Sequence, residues 1–160
     1  MERMPMKKFL CASFLLLTGV VQAVPYTSQT DHFTVDFPGP VTTRTVKEMH
    51  SYGWGGPGVV CGVLVFGGKA RMSRYDILKN IKADSNVKFN LREIKFGQIP
   101  GLEFDGVDEH GVPVFGRTYS TKQSSYMVVS SNFDTAASRK FVESFHFIEA
   151  APVKGPKKKK

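Results

Sequence analysis

The chain is poor in the residue types that announce chemistry. It has two cysteines, one tryptophan and four histidines in 160 residues. Two cysteines exclude a disulfide-stapled scaffold. No C-x-x-C, H-E-x-x-H or G-x-S-x-G motif occurs, so no zinc-site spacing or nucleophile elbow is present. No apolar run approaches the roughly 20 residues of a membrane-spanning helix, which excludes a polytopic membrane protein. No internal repeat is visible. The net charge of +8 sits at the two ends: residues 24–150 carry fourteen Lys/Arg against thirteen Asp/Glu, a net of +1. A nucleic-acid-binding domain spreads basic residues over a folded face, and this body has no such excess. No nucleic-acid partner is expected.

What is there is ordinary globular composition, 41% hydrophobic and 22% charged, in a length that fits one domain. The N-terminus carries an address. Lys7 and Lys8 precede an apolar stretch from Phe9 to Val21, and Val21-Gln22-Ala23 places short residues before a cut after Ala23. That is the pattern of a secretory signal peptide, with either Met1 or Met6 as its start. A lipoprotein signal fails at Cys11, which follows Leu10, with Lys8 three positions earlier. The expected organisation is a leader over 1–23, a single domain over 24–150 and a disordered lysine-rich tail over 151–160. The protein is expected in the periplasm or outside the cell. Loss of the leader leaves Cys61 as the only thiol. It lies within the apolar run Val59–Val65, where a cysteine packs as a small hydrophobe.

The patterning of the body alternates between strands and two helices. Phe33–Phe37 has the period of a half-buried strand, broken by Pro38-Gly39-Pro40. Val41–Met49 reads as a second strand and Tyr52–Gly58 as a glycine-rich loop. Val59–Phe66 reads as a central strand buried on both faces. Ser73 and Asp76 form a capping box for a helix over Arg74 to about Asp84, with Ile77, Leu78 and Ile81 on one face. Val87, Phe89 and Leu91 alternate, and Ile94 and Phe96 continue on the opposite parity, which predicts a bulge near Arg92. Leu102–Asp105 and Val112–Tyr119 flank a hairpin loop over 106–111, and Tyr126–Ser130 is a further strand. Asp134 caps a last helix whose stripe is Ala137, Phe141, Val142 and Phe145. Tight connections between neighbouring strands require antiparallel pairing. The fold class is therefore α+β, a mostly antiparallel sheet flanked by two helices.

Several of these segments resemble the Mog1/PsbP-like fold family, including its small bacterial envelope members of unassigned function. They are Phe33-Thr34-Val35-Asp36-Phe37-Pro38, Pro100-Gly101-Leu102-Glu103-Phe104, Gly111-Val112-Pro113-Val114 with Arg117-Thr118-Tyr119, Tyr126-Met127-Val128-Val129, and Arg139–Phe145. The resemblance covers most of residues 31–148. It implies an αβα sandwich and, because family members mostly act as non-catalytic partners, a binding role. No functional motif of the family falls residue by residue on this chain.

Four features remain as candidate sites. Gly53-Trp54-Gly55-Gly56-Pro57-Gly58 spells G-x-G-x-x-G, but a strand follows where the dinucleotide fingerprint needs a helix, so no nucleotide cofactor is expected. Tyr52 and Trp54 in the same stretch form either a contact patch for a partner or an aromatic lid over the protein's own core. Asp105, Asp108, Glu109 and His110 cluster without EF-hand spacing, which is the composition of an exposed hairpin tip; no metal is expected. The histidines do not assemble into a site, and no catalytic residue is nominated. Lys154, Lys157, Lys158, Lys159 and Lys160 suit electrostatic contact with an anionic surface.

These observations point to an exported, non-enzymatic binding or interaction module of the cell envelope, with an unknown protein or small ligand as partner. The alternatives are a small envelope hydrolase whose site forms only on folding, and a polyanion- or membrane-surface-associating protein acting through its tail.

Overall fold

The computed structural model describes residues 23–56, 59–85, 88–108, 110–132 and 135–148. Among the described residues, ten strands and two α-helices follow in the order β1 (Val24–Ser28), β2 (Phe33–Phe37), β3 (Thr42–Val46), β4 (Met49–Gly56), β5 (Val59–Gly67), α1 (Arg74–Ser85), β6 (Lys88–Phe96), β7 (Ile99–Val107), β8 (Pro113–Ser120), β9 (Ser124–Asn132), α2 (Thr135–Glu143) and β10 (His146–Phe147). A seven-stranded sheet has the order β3-β4-β5-β9-β8-β7-β6, and a smaller sheet has the order β1-β2-β10. Every pair is antiparallel. The α+β class and the flanking helices are as the sequence predicts.

The large sheet is covered on both faces. On one face α1 packs Ile77, Leu78 and the half-buried Ile81 against Phe66, Met127, Leu102 and Phe104. On the other, α2 and the small sheet bury Phe33, Val35, Phe37, Phe141, Val142 and Phe145 against Cys61, Val63, Val65, Phe115, Tyr119, Tyr126 and Val128. The small sheet is therefore part of the second layer, beside α2. The capping box forms with a variation: the Asp76 backbone N–H donates to Ser73 Oγ at 3.1 Å, and that hydroxyl donates to the Asp76 carboxylate at 2.6 Å.

Several expectations are corrected. Val41–Met49 is two strands, because Lys47 adopts a left-handed φ of 55° and starts a two-residue turn between Val46 and Met49. Tyr52–Gly56 belongs to β4 and is no loop; Pro57 and Gly58 lie outside the described residues. β6 pairs with β7 in unbroken register from Lys88 to Phe96, so there is no bulge near Arg92. The change of parity marks a change of cover: Phe89 packs on Phe104 in the α1 layer, and Ile94 and Phe96 pack in the opposite layer. β5 is not buried on both faces throughout, since Val60 is 61% exposed. Ala137 faces solvent, and Ser138 takes its place in the buried stripe, accepting from Ser130 Oγ at 3.2 Å. Asp134, residues 1–22 of the expected leader and the tail lie outside the described residues.

Candidate functional site

β1 was not foreseen, and it creates the site. The strand starts Val24-Pro25; proline is tolerated there because β1 is an edge strand. The turn that joins it to β2 is secured to the large sheet through Asp31. Its carboxylate accepts from His50 Nδ1 at 2.8 Å and from the Tyr52 hydroxyl at 2.5 Å, both on β4. Its backbone carbonyl accepts from the Tyr126 hydroxyl on β9 at 3.0 Å, and its N–H donates to Ser28 Oγ at 3.2 Å. Tyr52 has one hydroxyl proton and gives it to Asp31, so Ser28 supplies the proton of the 3.1 Å bond between Ser28 and Tyr52. The next residue, His32, has φ 53°. Its carbonyl accepts from the Ile148 N–H at 3.0 Å, which also ties the C-terminal end of the fold to the turn.

Beside this clamp lies an open groove of about 580 Å³, bounded by Tyr26–Thr30 on one side and by Thr43–Thr45 and His50–Tyr52 on the other. Its lining is mostly hydroxyl, amide and phenol. The Tyr52 hydroxyl is pushed up to about 12 by burial and then by the bond to Asp31, and burial and the Asp31 charge raise Tyr26. The groove is thus lined by neutral phenols, and the Asp31 carboxylate bonded to Tyr52 is not part of its lining.

The Asp31–His50 pair is half of a hydrolytic arrangement: the carboxylate fixes Nδ1 as donor and leaves Nε2 as acceptor on the neutral ring. Among the described residues, neither nearby serine is hydrogen-bonded to His50. Ser51 donates to the Arg44 carbonyl at 3.2 Å, and Ser28, 5% exposed, is bound to Tyr52. The order of contacts is Ser28–Tyr52–Asp31–His50, with the carboxylate in the middle, whereas a triad needs the histidine there.

The predicted contact residues part company. The Tyr52 ring is 8% exposed and stands in the aromatic core 5.0 Å from Phe33; only its hydroxyl end reaches the groove lining. Trp54 is half-buried against the same core, and its indole occupies the space a side chain at Gly39 would need, 2.3 Å from the position of a Cβ there. His50 is paired with Asp31, a contact that the sequence reading did not include. Asp31 went unnoticed because nothing in Gln29-Thr30-Asp31-His32 distinguishes it from any polar turn. Cys61 is 1% exposed, near Ser130 Oγ at 3.4 Å, with its thiol raised by burial. Asp108 spends its carboxylate on the N–H groups of His110 and Val112 at 2.8 and 2.9 Å, Asp105 accepts from Asn90, and no metal-binding cluster occurs among the described residues. Glu109 and the five tail lysines, Lys154 and Lys157 to Lys160, lie outside the described residues.

No protein-family model matches the sequence, and no curated protein does. The fold has a solved counterpart. It is similar to the solution structure of cyanobacterial PsbP (CyanoP) from Synechocystis sp. PCC 6803, with a TM-score of 0.54 and 12% identity, covering 81% of this chain and 95% of that one. The fold is therefore PsbP-like; nothing in the likeness bears on Mog1.

Proposed function

We propose that the protein is an exported, non-enzymatic binding module of the cell envelope whose ligand or partner seats in the groove between the β1–β2 turn and the β3–β4 hairpin. The observation that carries this reading is the Asp31 clamp. Four hydrogen bonds to residues on three strands hold one wall of an otherwise open polar groove in a single geometry, and pre-organised walls bind at lower entropic cost. Export is supported by the leader pattern, in which Lys7 and Lys8 precede the apolar stretch Phe9–Val21 and short residues precede a cut after Ala23.

The test is capture from an envelope fraction by residues 24–160, by Thr43→Trp, which fills the groove, and by a chain ending at residue 151. The partner is expected on the first and third baits and absent from the second. Equal capture by the Trp variant refutes the groove. Capture abolished by removing the tail favours electrostatic attachment through Lys154 and Lys157 to Lys160.

The hydrolase reading keeps one supporting observation, the Asp31–His50 pair. It predicts ester hydrolysis that His50→Ala abolishes; an activity that survives that substitution, or none at all, removes it.

A further inference from the structure

We propose that β3 is a docking edge for an extended protein segment bearing an acidic residue, which joins the large sheet as an eighth strand beside the groove. The proposal rests on the binding-module reading and specifies the partner's chemistry.

An edge strand has backbone N–H and C=O groups that pair with nothing in its own sheet, and proteins protect such edges with charge, proline or brevity. Three of the four edges here are protected. β6, the far edge of the large sheet, carries Lys88, Arg92, Glu93 and Lys95. β1 has Pro25, which has no N–H, and β10 has two residues. β3 has neither proline nor brevity, and its single charge is Arg44. It reads Thr-Thr-Arg-Thr-Val, all five residues exposed, with β-branched side chains, the type that favours strands, at four of the five. Its length is close to that of an average strand, enough for a full ladder with an added chain.

The surrounding charges select the partner. Arg44 and the neighbouring Lys47 are exposed and have no ion pair among the described residues. The carboxylates nearby are engaged. Asp31 accepts from His50 and Tyr52, and Glu48 accepts from the N–H groups of Lys69 and Ala70 at 2.6 and 3.2 Å. The edge therefore presents positive charge, and an incoming Asp or Glu opposite Arg44 makes a favourable cross-strand pair. A second copy fits less well, since two β3 strands paired centre to centre set Arg44 against Arg44. In strand addition the main-chain bonds supply affinity and alternate side chains supply specificity. Here one set of those side chains falls on the Thr43 and Thr45 side, where the groove lies.

The probe is a capped heptapeptide of alternating valine and threonine with a central glutamate. It is compared with its lysine counterpart and with a form N-methylated at alternate residues, with amide hydrogen exchange as readout. The glutamate peptide is expected to protect β3 amides and leave β6 unprotected, and the N-methylated form to protect nothing. The lysine peptide is expected to bind about fivefold more weakly, the scale of one cross-strand charge pair. Arg44→Glu, an exposed change, is expected to reverse that order. Protection on β6 or β1, no protection at all, or β3 protection that rises with protein concentration alone overturns the proposal, the last in favour of a second copy. If these peptides fail while envelope capture still depends on Thr43, the edge reading falls and the groove reading stands.

Discussion

Tyr52→Phe removes a single oxygen from the clamp between the two sheets, the one that bonds both Asp31 and Ser28. The ring keeps its neighbours, Phe33 at 5.0 Å and Tyr26 at 5.4 Å. Lost are the proton given to Asp31 and the acceptor for Ser28. A hydrogen bond to a charged group is worth about 1.5–3 kcal/mol, and the Ser28 hydroxyl proton left without an acceptor adds roughly 1 kcal/mol, although Ser28 Oγ still accepts from the Asp31 N–H. Asp31 retains His50, which limits the loss to about 2–3 kcal/mol near neutral pH, a fall in melting temperature on the order of 10 °C for a domain of this size. The same oxygen makes the difference pH-dependent. The unfolded chain releases the phenol proton near pH 10, whereas the folded chain holds it to about 12, because of burial first and Asp31 second. Between those values the folded state binds more protons than the unfolded state, so stability falls as pH rises. The contribution is complete below pH 10 and is lost on passing through 12; two pH units correspond to roughly 3 kcal/mol. Tyr26, Tyr119 and Tyr126 are also raised, but both chains carry them and they cancel in the comparison. Urea unfolding of the two proteins at pH 8, 10 and 11.5 measures the gap, which should shrink by most of its size across the series. A gap of equal size at pH 8 and 11.5, or no gap at pH 8, refutes the assignment of the clamp to this hydroxyl.

Three further outcomes follow from the packing. Glu103, 6% exposed, accepts from Arg92 and, at 2.9 Å, from Arg117. Glu103→Gln should cost about 2–4 kcal/mol in urea unfolding, since breaking a buried pair strands the remaining charge, and Arg92→Ala should cost under about 1 kcal/mol because Arg92 lies at the surface. Gly116→Ala places a Cβ 2.3 Å from Phe104 Cζ and 2.6 Å from the Val128 carbonyl and should destabilise by roughly 2 kcal/mol or more; Gly55→Ala, with nothing within 4 Å, should melt within a few degrees of the parent. The Cys61 thiol should stay unreactive towards a disulfide reagent in the folded protein and react fully in denaturant, and fast reaction of the native form would contradict its burial.

Local patterning revealed most of the scaffold. The alternation at Phe33–Phe37, the Ser73–Asp76 cap and the burial of Phe141 and Val142 on α2 each follow from neighbours within a few residues, and each stands where the sequence put it; Phe145 is buried as well, but past the end of α2. The failures share a cause. The Lys47–Glu48 turn carries no glycine, proline or asparagine, so nothing local separates β3 from β4. Ile94 and Phe96 looked out of phase because periodicity reports that a face is covered and says nothing about which neighbour covers it.

By itself the sequence settled the class of this protein: two amphipathic helices, tightly connected strands and a body with no catalytic motif. The groove was a different matter. Asp31 meets His50 and Tyr52 across nineteen and twenty-one residues, and the exposed edge of β3 exists only because the chain pairs it on one side. Burial and backbone pairing within an element are encoded at short range, where side-chain periodicity speaks. A polar site is assembled from turns that look alike in one dimension, and only the packing of one sheet on another determines which of them face each other.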